Sequence, residues 1–259
     1  MTEFRAEKRV VVFPDADALA SGIAEQFVRR ARKRAAAGKT SHVLLTGGNA
    51  CTAVLRAIGE HPSRGDVDWS SVHFWWGDER FLPRDAADRN ERTATDALLS
   101  RIDVPGGNIH AIPAADEGVD LDAAVARYTD ELAGFGTDDQ AWPVFHVCFL
   151  GVGPDGHIAS LFPDRTEIAD TEHSVLPVRD SPVPPSDRIT LTRPVINSAR
   201  RVWLVLPGQD KASALGLALA GASYHSVPAA GAKGRKQTVF FVDQAAAGSV
   251  PEELIDPEF

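Results

Sequence analysis

Asp155 and His157 stand two residues apart in the stretch Gly151-Val-Gly-Pro-Asp-Gly-His-Ile-Ala-Ser-Leu-Phe-Pro-Asp164, directly after the apolar run Val144 to Leu150. An imidazole titrates near neutral pH, so it can take a proton and return it. Three glycines and a proline force a tight loop around it, because glycine tolerates backbone angles closed to other residues. A histidine held at the C-terminal edge of a strand in an α/β protein is well placed to work on a ligand. The same residues also suit a helix-start loop whose imidazole caps backbone groups. On these residues alone both readings stand.

Further segments carry polar chemistry. Thr46-Gly47-Gly48-Asn49 joins a predicted strand to a predicted helix. Such a turn offers backbone N–H groups at the positive end of a helix, which suits a phosphate, although a plain strand–helix turn reads the same way. It is neither a Gly-x-Gly-x-x-Gly dinucleotide fingerprint nor a P-loop, since no Gly-Lys-Ser/Thr follows. Gly77-Asp78-Glu79-Arg80 closes a third strand. Its Arg80 is a natural fork for phosphate or carboxylate, and a solvated salt-bridge cluster is the alternative. Arg188 and Lys211 add cations, with Lys211 at the start of a helix after a Pro-Gly turn. The histidines are scattered, no His or Cys pair has ligand spacing, and no Gly-x-Ser-x-Gly elbow occurs. That excludes the usual zinc patterns and the α/β-hydrolase triad.

These loops need a frame. With 44% hydrophobic and 24% charged residues, the 259-residue chain can bury a sizeable core. Leu19, Ile23, Phe27 and Ala31 recur every fourth residue within Asp15 to Ala37 and predict a helix stopped at Gly38. Helices are also expected after Gly48 to Ile58, from a cap at Asn90 through Ile102, over Leu121 to Phe135, and over Lys211 to Ala220. Strands are expected at Arg9–Phe13, His42–Leu45, Val72–Trp76, Val144–Leu150, Arg201–Leu206 and Thr238–Val242. Continuous apolar strands alternating with amphipathic helices imply a mostly parallel, doubly wound α/β sheet, Rossmann-like, with helices on both faces. The Pro-rich stretch Ser181 to Ser186 reads as a loop or edge crossing, so residues 1–259 are expected to form one domain.

A net charge of −9 argues against a broad nucleic-acid surface but not against a small anion. No apolar run reaches the roughly 18 residues of a membrane helix, and the polar start of the chain lacks a signal-peptide core. Cys51 and Cys148 sit in apolar contexts and suit buried thiols in a reducing cytoplasm.

Taken together, the motifs resemble those of 6-phosphogluconolactonases of the glucosamine-6-phosphate isomerase-like type. Gly153 to Pro163 resembles the family's central signature, and Asp78-Glu79-Arg80 with Pro83 and Asn90 resembles its second motif. Arg188-Ile-Thr-Leu-Thr192 with Val195-Ile196-Asn197, Gly208 and Lys211 resembles the third. Pro228-Ala229 and Phe241-Val242-Asp243 with Ala245-Ala246 resemble the C-terminal pattern, so the likeness runs in order through nearly the whole chain. The first loop departs from it: the family's Ser-Gly-Gly-Ser-Thr-Pro is here Thr46-Gly47-Gly48-Asn49-Ala50-Cys51.

The resemblance implies a glucosamine-6-phosphate deaminase-like fold and hydrolysis of 6-phospho-D-glucono-1,5-lactone, with no cofactor or metal. It makes His157 the general base and lets Asp155 orient the imidazole or bind sugar hydroxyls. It gives Arg80 and Lys211 the phosphate, helped by Gly47 and Gly48 backbone donors, with Asp78 and Arg188 as further substrate-binding candidates, of which Arg188 is the weaker and also suits a structural role. A monomer or weak homo-oligomer is the expected state. The deaminases share the Asp-Gly-His-Ile-Ala core but continue Phe-Asn-Glu-Pro and carry Asp-Glu-Tyr, where this chain has Ser160-Leu-Phe-Pro163 and Asp78-Glu79-Arg80. A non-catalytic sugar-phosphate sensor is the rival of another class.

Overall fold

The apolar runs predicted as strands line up in one parallel sheet. The structure is a computed structural model and describes residues 7–248, 250 and 255. In chain order its elements are β1 (Glu7–Phe13), α1 (Ala16–Ala35), β2 (Ser41–Leu45), α2 (Asn49–Glu60), β3 (Val72–Trp76), β4 (Asp78–Arg80), α3 (Asn90–Ala97), β5 (Ile109–His110) and α4 (Leu121–Gly134). The second half adds β6 (Phe145–Gly151), β7 (Val175–Val178), β8 (Arg188–Leu191), α5 (Arg193–Asn197), β9 (Arg201–Leu206), α6 (Ala212–Leu219), β10 (Gln237–Asp243) and α7 (Gln244–Ala247).

Seven strands run parallel in the order β1-β10-β9-β6-β2-β3-β5. From β2 the chain steps outward to β3 and β5; from β6 it steps the other way to β9 and β10. The direction of winding therefore reverses between β2 and β6. In an open α/β sheet a ligand crevice forms outside the C-terminal ends of the strands at such a reversal.

Local chemistry explains the elements. Asp15 caps α1 by accepting from the Ala18 amide (2.8 Å), and Leu19, Ile23, Phe27 and Ala31 all face the core, as their spacing predicted. Every residue of β6 except Gly151 is buried, which is why it reads as a continuous apolar run and not as an alternation. Cys51 and Cys148 are free and buried, and burial pushes the Cys51 thiol up to about 12. Among the described residues no helix is long and apolar enough to cross a membrane.

Three expectations need correction. Gly77 to Arg80 does not close the third strand. That strand ends at Trp76, Gly77 turns the corner, and β4 joins β8 and β7 in a separate antiparallel sheet. The Gly77 amide donates to Leu45 O (2.7 Å) and its carbonyl accepts from Leu191 N (2.8 Å), so this residue bonds to both sheets. Asn90 is not the cap of α3. It is the first helical residue, and the buried Glu79 carboxylate accepts from the amides of Asn90 (2.7 Å) and Glu91 (2.8 Å). A carboxylate there also complements the helix dipole. Lys211 ends a 3-10 turn, and the helix after it starts at Ala212. The Ser181 to Ser186 stretch lies, as expected, in a connecting loop, here between β7 and β8.

Candidate functional site

A cavity of about 430 Å³ opens at the C-terminal ends of β2 and β6. Its lining includes Gly47, Gly48, Asp78, Arg80, His157, Arg188 and Lys211, so seven of the eight residues singled out from the sequence meet there. The eighth, Asp155, stands behind His157.

Thr46 fixes the floor. Its hydroxyl donates to Phe149 O (3.1 Å) and accepts from the Gly151 amide (3.0 Å), which ties the end of β2 to the end of β6. Gly48 then adopts φ 93°, a conformation open to glycine and strained for other residues. A Cβ on Gly47 would lie 1.8 Å from Asn90 Oδ1. Asn90 is buried and cannot yield freely, because its Nδ2 donates to Asp78 O (2.9 Å) and its Oδ1 accepts from Arg80 Nη1 (3.2 Å). Gly47→Ala is therefore expected to lower unfolding free energy by about 1–3 kcal/mol through overpacking, read by denaturant titration. Unchanged stability would mean that Asn90 has room to move.

The loop after β6 spells Gly151-x-Gly153-x-x-Gly156, the spacing of a dinucleotide fingerprint, yet no helix follows it. Instead Ile158 bridges to Val152 and to Leu161. The helix-start reading of this loop falls, and with it the helix N-terminus on which a pyrophosphate would rest. What the loop does present is His157. Its Nδ1–H donates to Asp155 Oδ1 (2.6 Å), and the same oxygen accepts from the His157 amide (3.1 Å). Burial raises the Asp155 carboxyl, but these two bonds and the imidazole's charge outweigh it and hold the group below the usual carboxylate range. An ionised carboxylate only accepts, so the proton of a neutral His157 sits on Nδ1 and Nε2 keeps a free lone pair. The imidazole packs beside Phe162 at 4.8 Å between centroids. A Cβ on Gly153 would lie 2.0 Å from His157 Nδ1, so the ring occupies space that only glycine leaves open.

Across the cavity, β4 and β8 pair Asp78 with Thr190 and Arg80 with Arg188. Like charges directly opposite in a sheet repel, and an anion between them would offset that. Arg188 is nearly fully buried, and burial lowers its pKa first, with Arg80 adding to the effect and Asp78 opposing it. Its guanidinium donates to the carbonyls of Val183 (2.9 Å), Pro184 (2.8 Å) and Pro185 (3.3 Å). Arg188 thus holds the β7–β8 loop against the cavity. Asp78 Oδ2 accepts from the Ser160 hydroxyl (2.8 Å). Lys211 Nζ lies 2.8 Å from Asp210 Oδ2, and because Asp210 is well exposed the pair is weak.

Thr46, Asn90, Glu79 and Ser160 were not read as site residues. Their signal lies in tertiary contacts and not in local spacing; the turns and family motifs contain all four, but nothing in the local sequence assigns them a role in the site.

Residues 14–241 match the family model described as glucosamine-6-phosphate isomerases/6-phosphogluconolactonase. The chain is 42% identical over 253 residues to the 6-phosphogluconolactonase of Streptomyces coelicolor, covering 96% of this chain and 97% of that one. It is 41% identical over 244 residues to the 6-phosphogluconolactonase of Mycobacterium tuberculosis, covering 93% and 98%. The crystal structure of 6-phosphogluconolactonase from Leishmania guyanensis superposes with a TM-score of 0.80 at 26% identity, covering 95% of this chain and 99% of that one. The family model spans well over half of the sequence, the two bacterial relatives align nearly end to end, and the fold agrees: the chain belongs to the glucosamine-6-phosphate isomerase/6-phosphogluconolactonase family.

Proposed function

We propose that the chain hydrolyses 6-phospho-D-glucono-1,5-lactone to 6-phospho-D-gluconate, a step of the oxidative pentose phosphate pathway, in the cytoplasm. One observation carries the reading: a carboxylate-oriented imidazole and the cations Arg80, Arg188 and Lys211 line one cavity at the reversal of the sheet. An anionic sugar needs the cations, and a lactone needs the base. The full-length likeness to proteins named 6-phosphogluconolactonase supports it.

In this reading His157 Nε2 takes a proton from water as the water oxygen bonds to C1. The tetrahedral intermediate then breaks its bond to the ring oxygen, which receives the proton from His157. Asp155 keeps the imidazole in the tautomer that can do this and balances its transient positive charge. Arg80 and Lys211 hold the phosphate with the Gly47 and Gly48 amides, Asp78 faces the sugar, and Arg188 positions the loop that closes the cavity. Both sheets contribute to this cavity, which supports one domain. Among the described residues the exposed large hydrophobics are Phe135, Val183 and Leu217, on separate elements. That supports a monomer or weak homo-oligomer.

The test is lactone hydrolysis measured beside deamination of glucosamine 6-phosphate, each against an enzyme-free control. Hydrolysis well above background without ammonia release is expected. Faster deamination would transfer the chain to the isomerase branch, and neither activity would leave a sugar-phosphate sensor.

Arg80→Ala checks the phosphate assignment. A charge-assisted contact is worth about 1.5–3 kcal/mol, so KM should rise by roughly 10- to 150-fold. Turnover should change less, because the phosphate is gripped equally in ground and transition states. The rate on unphosphorylated gluconolactone should hardly move. Equal proportional losses on both lactones would place Arg80 at the reacting centre or in the fold.

A further inference from the structure

The opposite edge of the sheet holds a second concentration of charge. Arg201 begins β9, and Arg200 precedes it, with its amide donating to Phe145 O (2.8 Å) at the start of β6. Arg30 and Arg34 stand one turn apart near the end of α1. Arg34 donates to Ser41 Oγ (2.8 Å) and Thr40 O (2.6 Å) at the start of β2. All four arginines are partly buried. Among the described residues none has a carboxylate partner: their contacts are hydroxyl, carbonyl and, for Arg30, the Trp203 ring at 5.9 Å. In a chain of net charge −9, four clustered guanidiniums without an acid are not a matter of composition.

The cluster is under electrostatic load. Burial lowers the pKa of Arg30, Arg34 and Arg201, and neighbouring cations lower them further: Arg201 and Arg29 act on Arg30, Arg200 and Arg201 on Arg34, and Arg200 on Arg201. Burial, then Arg34, Arg200, His42 and Arg201, press the His146 imidazole down to about 3. That ring is neutral, and its Nδ1 accepts from the His42 amide (3.1 Å), so its proton sits on Nε2. Every charged group in the cluster is a donor. Partly buried cations normally have an opposite charge nearby to offset their lost hydration.

We propose that Arg30, Arg34, Arg200 and Arg201 form a binding site for a small multivalent phosphoanion, at the sheet edge opposite the candidate active site. Guanidinium forks match the oxygens of a phosphate group, and several forks suit more than one such group. Four forks on one patch match the few oxygens of a small ligand, and the net charge of −9 over the whole chain disfavours a long polyanion. Such a ligand binds only the folded chain, so it raises stability by mass action.

The test is calorimetric titration of inorganic pyrophosphate into the full chain carrying Arg80→Ala and Lys211→Ala, which removes two of the cavity's three cations and leaves only Arg188, whose guanidinium is engaged by the β7–β8 loop carbonyls. Saturable binding is expected, weakened at least about tenfold by Arg201→Gln. Without pyrophosphate, Arg201→Gln should melt no lower than its parent, because one of several mutually repelling cations is gone. Should it melt far lower, Arg200→Gln makes the same comparison, since that side chain has no hydrogen bond among the described residues. Absence of binding in the parent, or equal affinity in parent and variant, overturns the site. With ATP in place of pyrophosphate, tighter binding assigns the site to nucleotides and equal binding to the phosphate chain itself; both support it.

Discussion

His157→Ala is expected to lower lactone hydrolysis by about 10²- to 10⁴-fold, the usual worth of a positioned general base, while leaving the fold intact. The two halves of that statement rest on different bonds. The catalytic half rests on the imidazole: Nδ1 is committed to Asp155 and Nε2 is free toward the cavity. The structural half rests on the backbone. Gly153 N donates to His157 O (2.9 Å), Gly156 N donates to Gly153 O (2.9 Å), and Ile158 bridges to Val152. None of these needs the imidazole. The ring is 22% exposed, so its removal leaves a gap open to water and no sealed cavity. Asp155→Asn should give a smaller loss, since Asn can still hold the ring but balances no charge on it. Because a lactone opens spontaneously, both rates must be read above an enzyme-free control. Near-wild-type turnover in His157→Ala with an unchanged melting curve would send the search to another base.

The sequence shows the parts of this site that are local and hides the parts that are not. The fourfold spacing in α1 and the unbroken apolar run of β6 are one-dimensional patterns, and each appears in the structure within a few residues. The glycine-braced loop was legible for the same reason: φ 83° at Gly156 and the close approach of His157 to Gly153 are needs that only glycine meets. The three-stranded sheet was not legible. β4 is three residues long, follows one residue after β3, and owes its existence to pairing with Arg188–Leu191, more than a hundred positions away. Without that pairing Asp78-Glu79-Arg80 reads as the charged end of the preceding strand. Asn90 shows the same limit. Its residue type and place before an apolar helix mark a cap, but a carboxylate arriving from β4 takes that role and frees the amide to orient Arg80.

That carboxylate supports the largest stability effect expected in this chain. Above about pH 7, where the Glu79 carboxylate is ionised, Glu79→Ala should lower unfolding free energy by about 3–5 kcal/mol, the range for breaking a buried ion pair. Glu79 is fully buried, and its Oε1 accepts from the amides of Arg80 and Asn90 (both 2.7 Å) while Oε2 accepts from Glu91 N (2.8 Å). Arg89, equally buried, lies 3.8 Å from Oε2. Alanine would strand three amides, although Arg89 keeps Glu91 (3.1 Å) and the Ile112 carbonyl (2.7 Å). Glu79→Gln retains one acceptor oxygen but sets an amide donor against Glu91 N–H, so a smaller loss of about 1–3 kcal/mol is expected. Its pH dependence is diagnostic. Burial pushes Glu79 up to about 7 against the opposing pull of Arg89 and the three amides, whereas a free glutamate titrates at about 4.3. Between those values the folded chain keeps a proton that the unfolded chain has released. Glu79 therefore contributes most below about pH 4.3, and its contribution falls as pH rises toward 7. Glutamine cannot follow that slope, so the gap between wild type and Glu79→Gln should narrow over this window. Urea titrations of both proteins across it, at constant ionic strength, decide the matter: a gap that stays constant would mean that Glu79 is ionised throughout, held there by Arg89 and the amides of α3.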